Sequence, residues 1–166
     1  MLASCRGGPG TLDATVGWPG PDATATDGGV VDPGLELGTG QTDWESLVPG
    51  STVELIHGPQ GGYHVFARIR ESRLGGDLRV AFRATDADGG RLLNDPTDEI
   101  HLLEGRGLLR TAAGWETSNA LLVILVEVHA PGDVVGRTLV LEADVIPAGA
   151  TTPSSVRRVV TVVDDF

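Results

Sequence analysis

From Leu35 onward, apolar residues recur at every second position, and that period decides what the chain can fold into. Residues 52–57 (Thr-Val-Glu-Leu-Ile-His) and 63–70 (Tyr-His-Val-Phe-Ala-Arg-Ile-Arg) alternate as half-buried strands do, because successive side chains of an extended backbone leave opposite faces. Between them Gly58-Pro59-Gln60-Gly61-Gly62 is a run of turn formers, so the whole stretch reads as a hairpin with both late glycines at positive φ. Residues 77–85 put Leu78, Val80, Phe82 and Ala84 on one face and Arg79, Arg83 and Thr85 on the other, then stop at the turn Asp86-Ala87-Asp88-Gly89-Gly90. Residues 137–145 alternate through Leu139, Leu141, Ala143 and Val145, and 156–163 form a β-branched strand. Shorter strands are expected at 91–93, 99–103 and 107–111. The stretch 119–129 differs, because Leu121-Leu122-Val123-Ile124-Leu125-Val126 is apolar on both faces; it predicts a central strand covered on both sides.

No window carries a 3.6-residue apolar stripe, and with 24 Gly and 10 Pro in 166 residues nearly every candidate helix is interrupted. One helical turn at 44–47 is the exception expected. Seven to nine strands separated by turns predict an all-β domain over 35–166, a two-sheet antiparallel sandwich of immunoglobulin or fibronectin type. A small closed barrel is the alternative. The loose Pro-Ala-Gly-Ala-Thr-Thr-Pro loop before the last strand favours the sandwich. Residues 1–34 are dense in Gly, Pro, Asp, Thr and Ala, the composition of a disordered tether.

Charge and rare residues exclude several function classes. Twelve basic residues, all Arg, against 23 acidic ones leave a net charge of −11, which argues against nucleic acid because phosphates need clustered cations. Without Lys there is neither a Schiff-base nor a phosphate-loop lysine. A single Cys forbids a disulfide within the chain. The longest apolar run, Ala120–Val126, falls far short of the ~20 residues that span a bilayer, so membrane attachment would be by lipid. Leu2-Ala3-Ser4-Cys5 resembles the lipobox at which a bacterial lipoprotein is cut and its new terminal cysteine acylated. A signal peptide carries an apolar stretch of about 7–15 residues, so this reading of Cys5 expects residues upstream of Met1.

Three runs point the same way: Leu35-Glu36-Leu37-Gly38-Thr39-Gly40, then residues 53–65 with Gly-Pro-Gln-Gly-Gly-Tyr-His, then Gly136-Arg137-Thr138-Leu139-Val140-Leu141-Glu142-Ala143-Asp144-Val145. Together they resemble a group of uncharacterised exported lipoproteins of GC-rich bacteria that carry one immunoglobulin-like sandwich. The resemblance implies a secreted β-sandwich, lipid-anchored to the outer membrane or cell surface through Cys5. It supplies no activity.

Candidate sites come from the polar residues of the alternating segments. His57 and His64 flank the hairpin loop and invite copper or zinc, since imidazole binds both. If the loop closes a regular hairpin, however, His57 stands opposite Tyr63 and the two imidazoles leave opposite faces. His101 and His129 are each alone in their strands. Asp86-Ala87-Asp88-Gly89-Gly90 offers carboxylates for calcium, or a plain Asp-Gly turn. Arg68, Arg70, Arg79 and Arg83 fall on the outward faces of two successive strands, with Arg68 near Arg79. Like charges so placed need compensation, from acidic neighbours such as Glu54, Glu142 or Asp144 or from an anionic partner. With Gln60 and Tyr63 of the hairpin these arginines make the expected binding surface for a protein or glycan of the cell envelope. Trp44 and Trp115 read as packing residues that could line a small groove. No Ser sits in a nucleophile elbow. The expected function is therefore a non-catalytic binding or structural module with no resident cofactor. A histidine-based copper or zinc lipoprotein and a hydrolase with dispersed carboxylates are the alternatives.

Overall fold

In the computed structural model, residues 34–164 are described and fold around one apolar core. Eleven strands follow one another: β1 (Leu35–Thr39), β2 (Glu45–Ser46), β3 (Thr52–His57), β4 (Tyr63–Glu71), β5 (Leu78–Asp86), β6 (Glu99–Glu104), β7 (Gly107–Thr111), β8 (Gly114–Thr117), β9 (Leu121–Ile124), β10 (Thr138–Pro147) and β11 (Ser154–Asp164). Among the described residues the helical content is one 3-10 turn, Pro131–Asp133, so the all-β expectation stands. The turn expected at 44–47 is instead the short strand β2, paired with β1 through Gly38↔Ser46 and Thr39↔Glu45.

All eleven strands are linked by pairing, in the order β2-β1-β4-β3-β11-β10-β5-β6-β7-β8 with β9 on β4, and this path folds over on itself as the two layers of the expected sandwich. One runs β3-β11-β10-β5-β6, and the other gathers β2-β1, β9 and β8-β7 around β4. In the first layer β10 pairs with β5 from Leu139↔Asp86 to Pro147↔Leu78, and with β11 from Thr138↔Thr161 to Val145↔Ser154. β11 then pairs with β3 in parallel, Val162 against Val53. In the second layer β4 has a different neighbour at each corner. Its early residues meet β3 and β9, and its late residues meet β1 and β8. Because β4 touches both β3 and β8, the pairing runs around the molecule as a closed circuit.

Inward residues of the two layers meet in the core: Val65, Ala67 and Ile69 of β4 against Val80, Phe82 and Ala84 of β5 and Leu139, Leu141 and Ala143 of β10, all buried. Each large aliphatic side chain so buried contributes roughly 1.5–3 kcal/mol. Two close approaches require glycine. A Cβ on Gly38 would lie 2.8 Å from the Glu45 carbonyl oxygen and 2.9 Å from the Trp44 ring. Gly114 has φ +126°, and a Cβ there would fall 2.2 Å from the Glu71 carbonyl oxygen, at the β4–β8 junction that closes the circuit.

The chain passes between layers at the end of β4. Glu71 points inward, 1 % exposed, and its carboxylate accepts hydrogen bonds from the backbone N–H groups of Arg73 (2.8 Å), Leu74 and Gly75 (3.2 Å). Those three bonds gather the connection into a tight knot that lifts the chain from one layer to the other. β4 and β5 are therefore not a hairpin; β5 pairs with β10 and β6 instead.

A second expectation fails as well. The apolar stretch 119–129 is not a central strand. Its extended part, β9, pairs with β4 alone among the described strands, and Leu122, Ile124 and Val126 are each about half exposed (49, 51 and 50 %).

Candidate functional site

The crossing at Glu71 takes the four arginines apart. Arg68 and Arg70 stand on β4, whereas Arg79 and Arg83 stand on β5 in the other layer, so the single basic face expected from the sequence does not exist. Arg68 is also not outward in any useful sense: it is 3 % exposed. Its guanidinium donates to the carbonyls of Thr42 and Thr117, both at 2.9 Å, and Glu116 lies 3.8 Å away. Arg70 donates through Nε and one terminal nitrogen to Glu116 (3.0 and 2.7 Å), and its guanidinium stacks 4.1 Å from the centre of the Trp44 ring. On the opposite layer Arg79 meets Glu99 at 3.3 Å and Arg83 meets Glu142 at 3.6 Å. The pairing of Arg83 with Glu142 is the charge compensation foreseen from the sequence. All four guanidinium groups are engaged within the molecule.

The hairpin register does match the count made on the sequence. His57 pairs with Tyr63 and Ile56 with His64, so the two imidazoles leave opposite faces. His57 rests edge-on to Tyr63 (ring centres 5.0 Å apart) and lies 3.3 Å from Asp164; His64 rests against Phe66 at 5.5 Å. Among the described residues no three His, Cys, Asp or Glu side chains converge as a metal would require. Of the two late loop glycines only Gly61 takes positive φ (+85°), and Gln60 is exposed at the tip. Asp86 forms a turn: one carboxylate oxygen accepts from the Asp88 N–H at 3.0 Å and the other meets Arg137 at 3.2 Å. Cys5 lies outside the described residues.

The feature that sequence reasoning missed is the free edge of β9. The Leu125 N–H donates to the Tyr63 carbonyl at 2.8 Å, which fixes the direction of the strand's peptide groups. In an extended chain those directions alternate, so residues 121, 123 and 125 turn N–H and C=O toward β4 while Leu122 and Ile124 turn theirs away. No described strand lies on that side.

A groove of about 290 Å³ runs along it instead, bounded by Leu122, Val123 and Ile124 on one side and by Asp95, Asp98, Glu99 and Ile100 on the other, with Phe82 and Asn94 at its floor. Three consecutive residues of β9 line this groove, so it follows the strand's edge rather than one of its faces. The far wall is fixed. Asn94 accepts from the Ala84 N–H at 2.7 Å and donates to the Phe82 carbonyl at 2.8 Å, which pins its segment to β5. Asp95 accepts from the N–H and hydroxyl of Thr97, and these bonds hold its carboxyl below the usual carboxylate range, so the rim is anionic at neutral pH. Opposite the edge, the His64 imidazole is held below its ordinary value by desolvation.

Such an arrangement has three parts: the outward peptide groups of Leu122 and Ile124, a floor of Phe82 and the backbone-bound Asn94, and an acidic rim. It can accept an extended polypeptide as an additional strand. The exposed outer residues Leu122 and Ile124 lie beside Phe66 and His64 of β4 and would flank the side chains of that strand.

No protein-family model matches the chain, and no curated protein matches it. Among solved structures the CooA pilin subunit from enterotoxigenic Escherichia coli is similar to it, at 14% sequence identity, covering 81% of this chain and 100% of that one with a TM-score of 0.40. An overlap of that size carries no argument about the role of this chain.

Proposed function

We propose that this chain is a non-catalytic binding module of the bacterial cell envelope, anchored through a lipid on Cys5, whose working surface is the free edge of β9. The observation that carries the reading is the pairing of an unsatisfied strand edge with an adjoining groove. Soluble proteins blunt such edges with charge, proline or a covering segment; Leu122-Val123-Ile124 carries neither charge nor proline, and no strand among the described residues covers it. The partner this chemistry suits is an extended peptide with apolar residues at alternate positions and a basic residue to meet Asp95 and Asp98.

A panel of synthetic peptides tests it. Alternating Val/Thr peptides carrying one terminal Arg are expected to bind and to slow hydrogen exchange at the Leu122 and Ile124 amides, whereas the same residues in blocked order are not. Ile124→Pro removes an outward N–H without touching the ladder to β4, a place where an edge strand tolerates proline, and should weaken binding at least tenfold. Leu109→Asp, at another exposed apolar position, should leave it unchanged. Equal binding of alternating and blocked peptides, or indifference to Ile124→Pro, overturns the reading.

A further inference from the structure

The strand position beside β9 is stopped at one end. Past Ile124 the chain turns, and the Glu127 N–H donates to the Leu93 carbonyl at 3.1 Å, so the backbone of the facing wall takes the place that a further strand would need there. Leu93 is fixed in that place. It is 0 % exposed, and its own N–H donates to the Ala84 carbonyl at 2.8 Å. At the other end of β9, Asn119 is exposed, and among the described residues Asn119, Ala120 and Leu121 make no backbone hydrogen bond across the groove. An added strand can therefore leave past Leu121 but cannot continue past Ile124, and one of its termini must lie at the stopped end.

Charge decides which terminus. Asp95 follows Leu93 by two residues, at most about 7.6 Å along the chain, so its carboxylate stands at the stopped end. The N–H and hydroxyl of Thr97 both donate to the same oxygen of Asp95, Oδ1, at 2.9 and 2.7 Å, which leaves Oδ2 without a partner among the described residues. Glu99 is matched by Arg79 at 3.3 Å, whereas Asp95 and Asp98 form no ion pair among the described residues. A terminal carboxylate would meet two uncompensated charges of its own sign; an ammonium group would meet acceptors.

We infer that the β9 groove captures the free amino terminus of an extended peptide, which adds antiparallel to β9 with its ammonium group at Asp95 and its first residue opposite Ile124. The inference rests on the reading of β9 as a strand acceptor and fixes the occupant's direction and end group. Direction follows from the stop, since β9 runs from Leu121 to Ile124 and a strand that begins beside Ile124 and leaves past Leu121 runs against it. Antiparallel pairing also suits the groups on offer. The first and third peptide residues stand opposite Ile124 and Leu122 and exchange paired N–H to O=C bonds with them, one ammonium hydrogen serving as the first donor. The second residue stands opposite Val123, which is buried, and so turns toward Phe82 at the floor of the groove. The second residue of the ligand is therefore the one that must be apolar.

The test titrates Thr-Val-Thr-Val-Thr-amide into the full-length, unlipidated chain in three forms: with a free amine, acetylated, and lengthened at the amino end by Gly-Ser-Gly. The free amine is expected to bind at least tenfold more tightly than either other form, and its advantage should fade as pH rises through the ordinary α-amino value of about 8, where the ammonium charge is lost. Asp95→Asn keeps an Oδ1 acceptor for Thr97 and should cancel most of the advantage while leaving the acetylated peptide's affinity unchanged, which also reports an intact fold. A nitroxide on the peptide's carboxyl end should broaden the amide signals of 119–121 rather than those of 93–95. Equal binding of the free and acetylated forms, or broadening at 93–95, overturns this inference; if Ile124→Pro still weakens binding in that case, the acceptor reading survives it. Acetyl-Arg-Val-Thr-Val-Thr-amide binding as tightly as the free amine also overturns it, because a side-chain cation is then what the rim reads. Binding by none of the peptides overturns both readings.

Discussion

Strands β9 and β10 are built from the same kinds of residue and live in opposite circumstances. β10 has a neighbour along each edge, buries Leu139, Leu141, Ala143 and Val145 inward, and sets Glu142 beside Arg83 on its outer face. β9 is more apolar still, yet among the described strands it has one neighbour and leaves Leu122 and Ile124 half in water. The apolar content of a strand therefore says how much cover it wants and not how much it has. What separates the two is the set of peptide groups on the second edge, satisfied in β10 and waiting in β9.

The largest expected effect breaks that contrast at its buried end. Leu141→Ala should destabilise the protein by about 2–5 kcal/mol in a denaturant titration, because a fully buried leucine leaves a cavity that its neighbours fill only partly. Leu122→Thr, an equally drastic loss of apolar surface, should stay within about 0.5 kcal/mol, as exposed positions do. Equal losses for the two would mean that the β9 face is covered after all. Next in size is the knot that carries the chain from β4 to β5. Glu71→Ala leaves three backbone donors without their carboxylate and should cost about 1.5–3 kcal/mol, the range for hydrogen bonds to a charged group. Thermal melts with no change for this variant would show that the crossing is held by packing instead.

The smallest effect is a pH dependence on the β9 side. Desolvation depresses the folded pKa of His64, so the unfolded chain binds the proton more readily. Stability from this residue is full above its unfolded value of about 6.5, declines as pH falls through that value, and levels off below the depressed folded one. His64→Gln should flatten the denaturation midpoint between pH 7.5 and 5. The carboxyl of Asp133, lowered by hydrogen bonds from the His129 and Ala130 N–H groups, acts in a separate window: its stabilisation is present above the ordinary aspartate range and lost only as pH falls through its depressed value. A midpoint that still shifts between pH 7.5 and 5 in the His64 variant would point away from the β9 side.

How much was legible in advance follows from how local each determinant is. The facing of His57 and Tyr63 follows from the length of one loop, and the strands β5, β10 and β11 follow from alternation, so counting along the chain finds them. Arg68 was placed on the correct strand and misjudged as exposed, because its burial depends on carbonyls of Thr42 and Thr117, neither of which the alternation of β4 can reveal. The separation of Arg68 and Arg70 from Arg79 and Arg83 turns on a single inward carboxylate, Glu71, that interrupts no pattern. The open edge of β9 was hidden for a simpler reason. An apolar run reads identically whether its second side is occupied or vacant.

The parallel contact between β3 and β11 has a consequence in time. Val53 and its partner Val162 lie more than a hundred residues apart, so the β3 edge of the first hairpin stays open until β11 is available, while β4 can already pair with β1, β8 and β9. Contacts so distant in sequence slow folding, since the loop between them must be closed before any pairing rewards it. A chain of this topology, emerging amino end first, would keep the β3 edge unlocked until β11 had followed it, and would close that edge in a late step with β11 as its bolt.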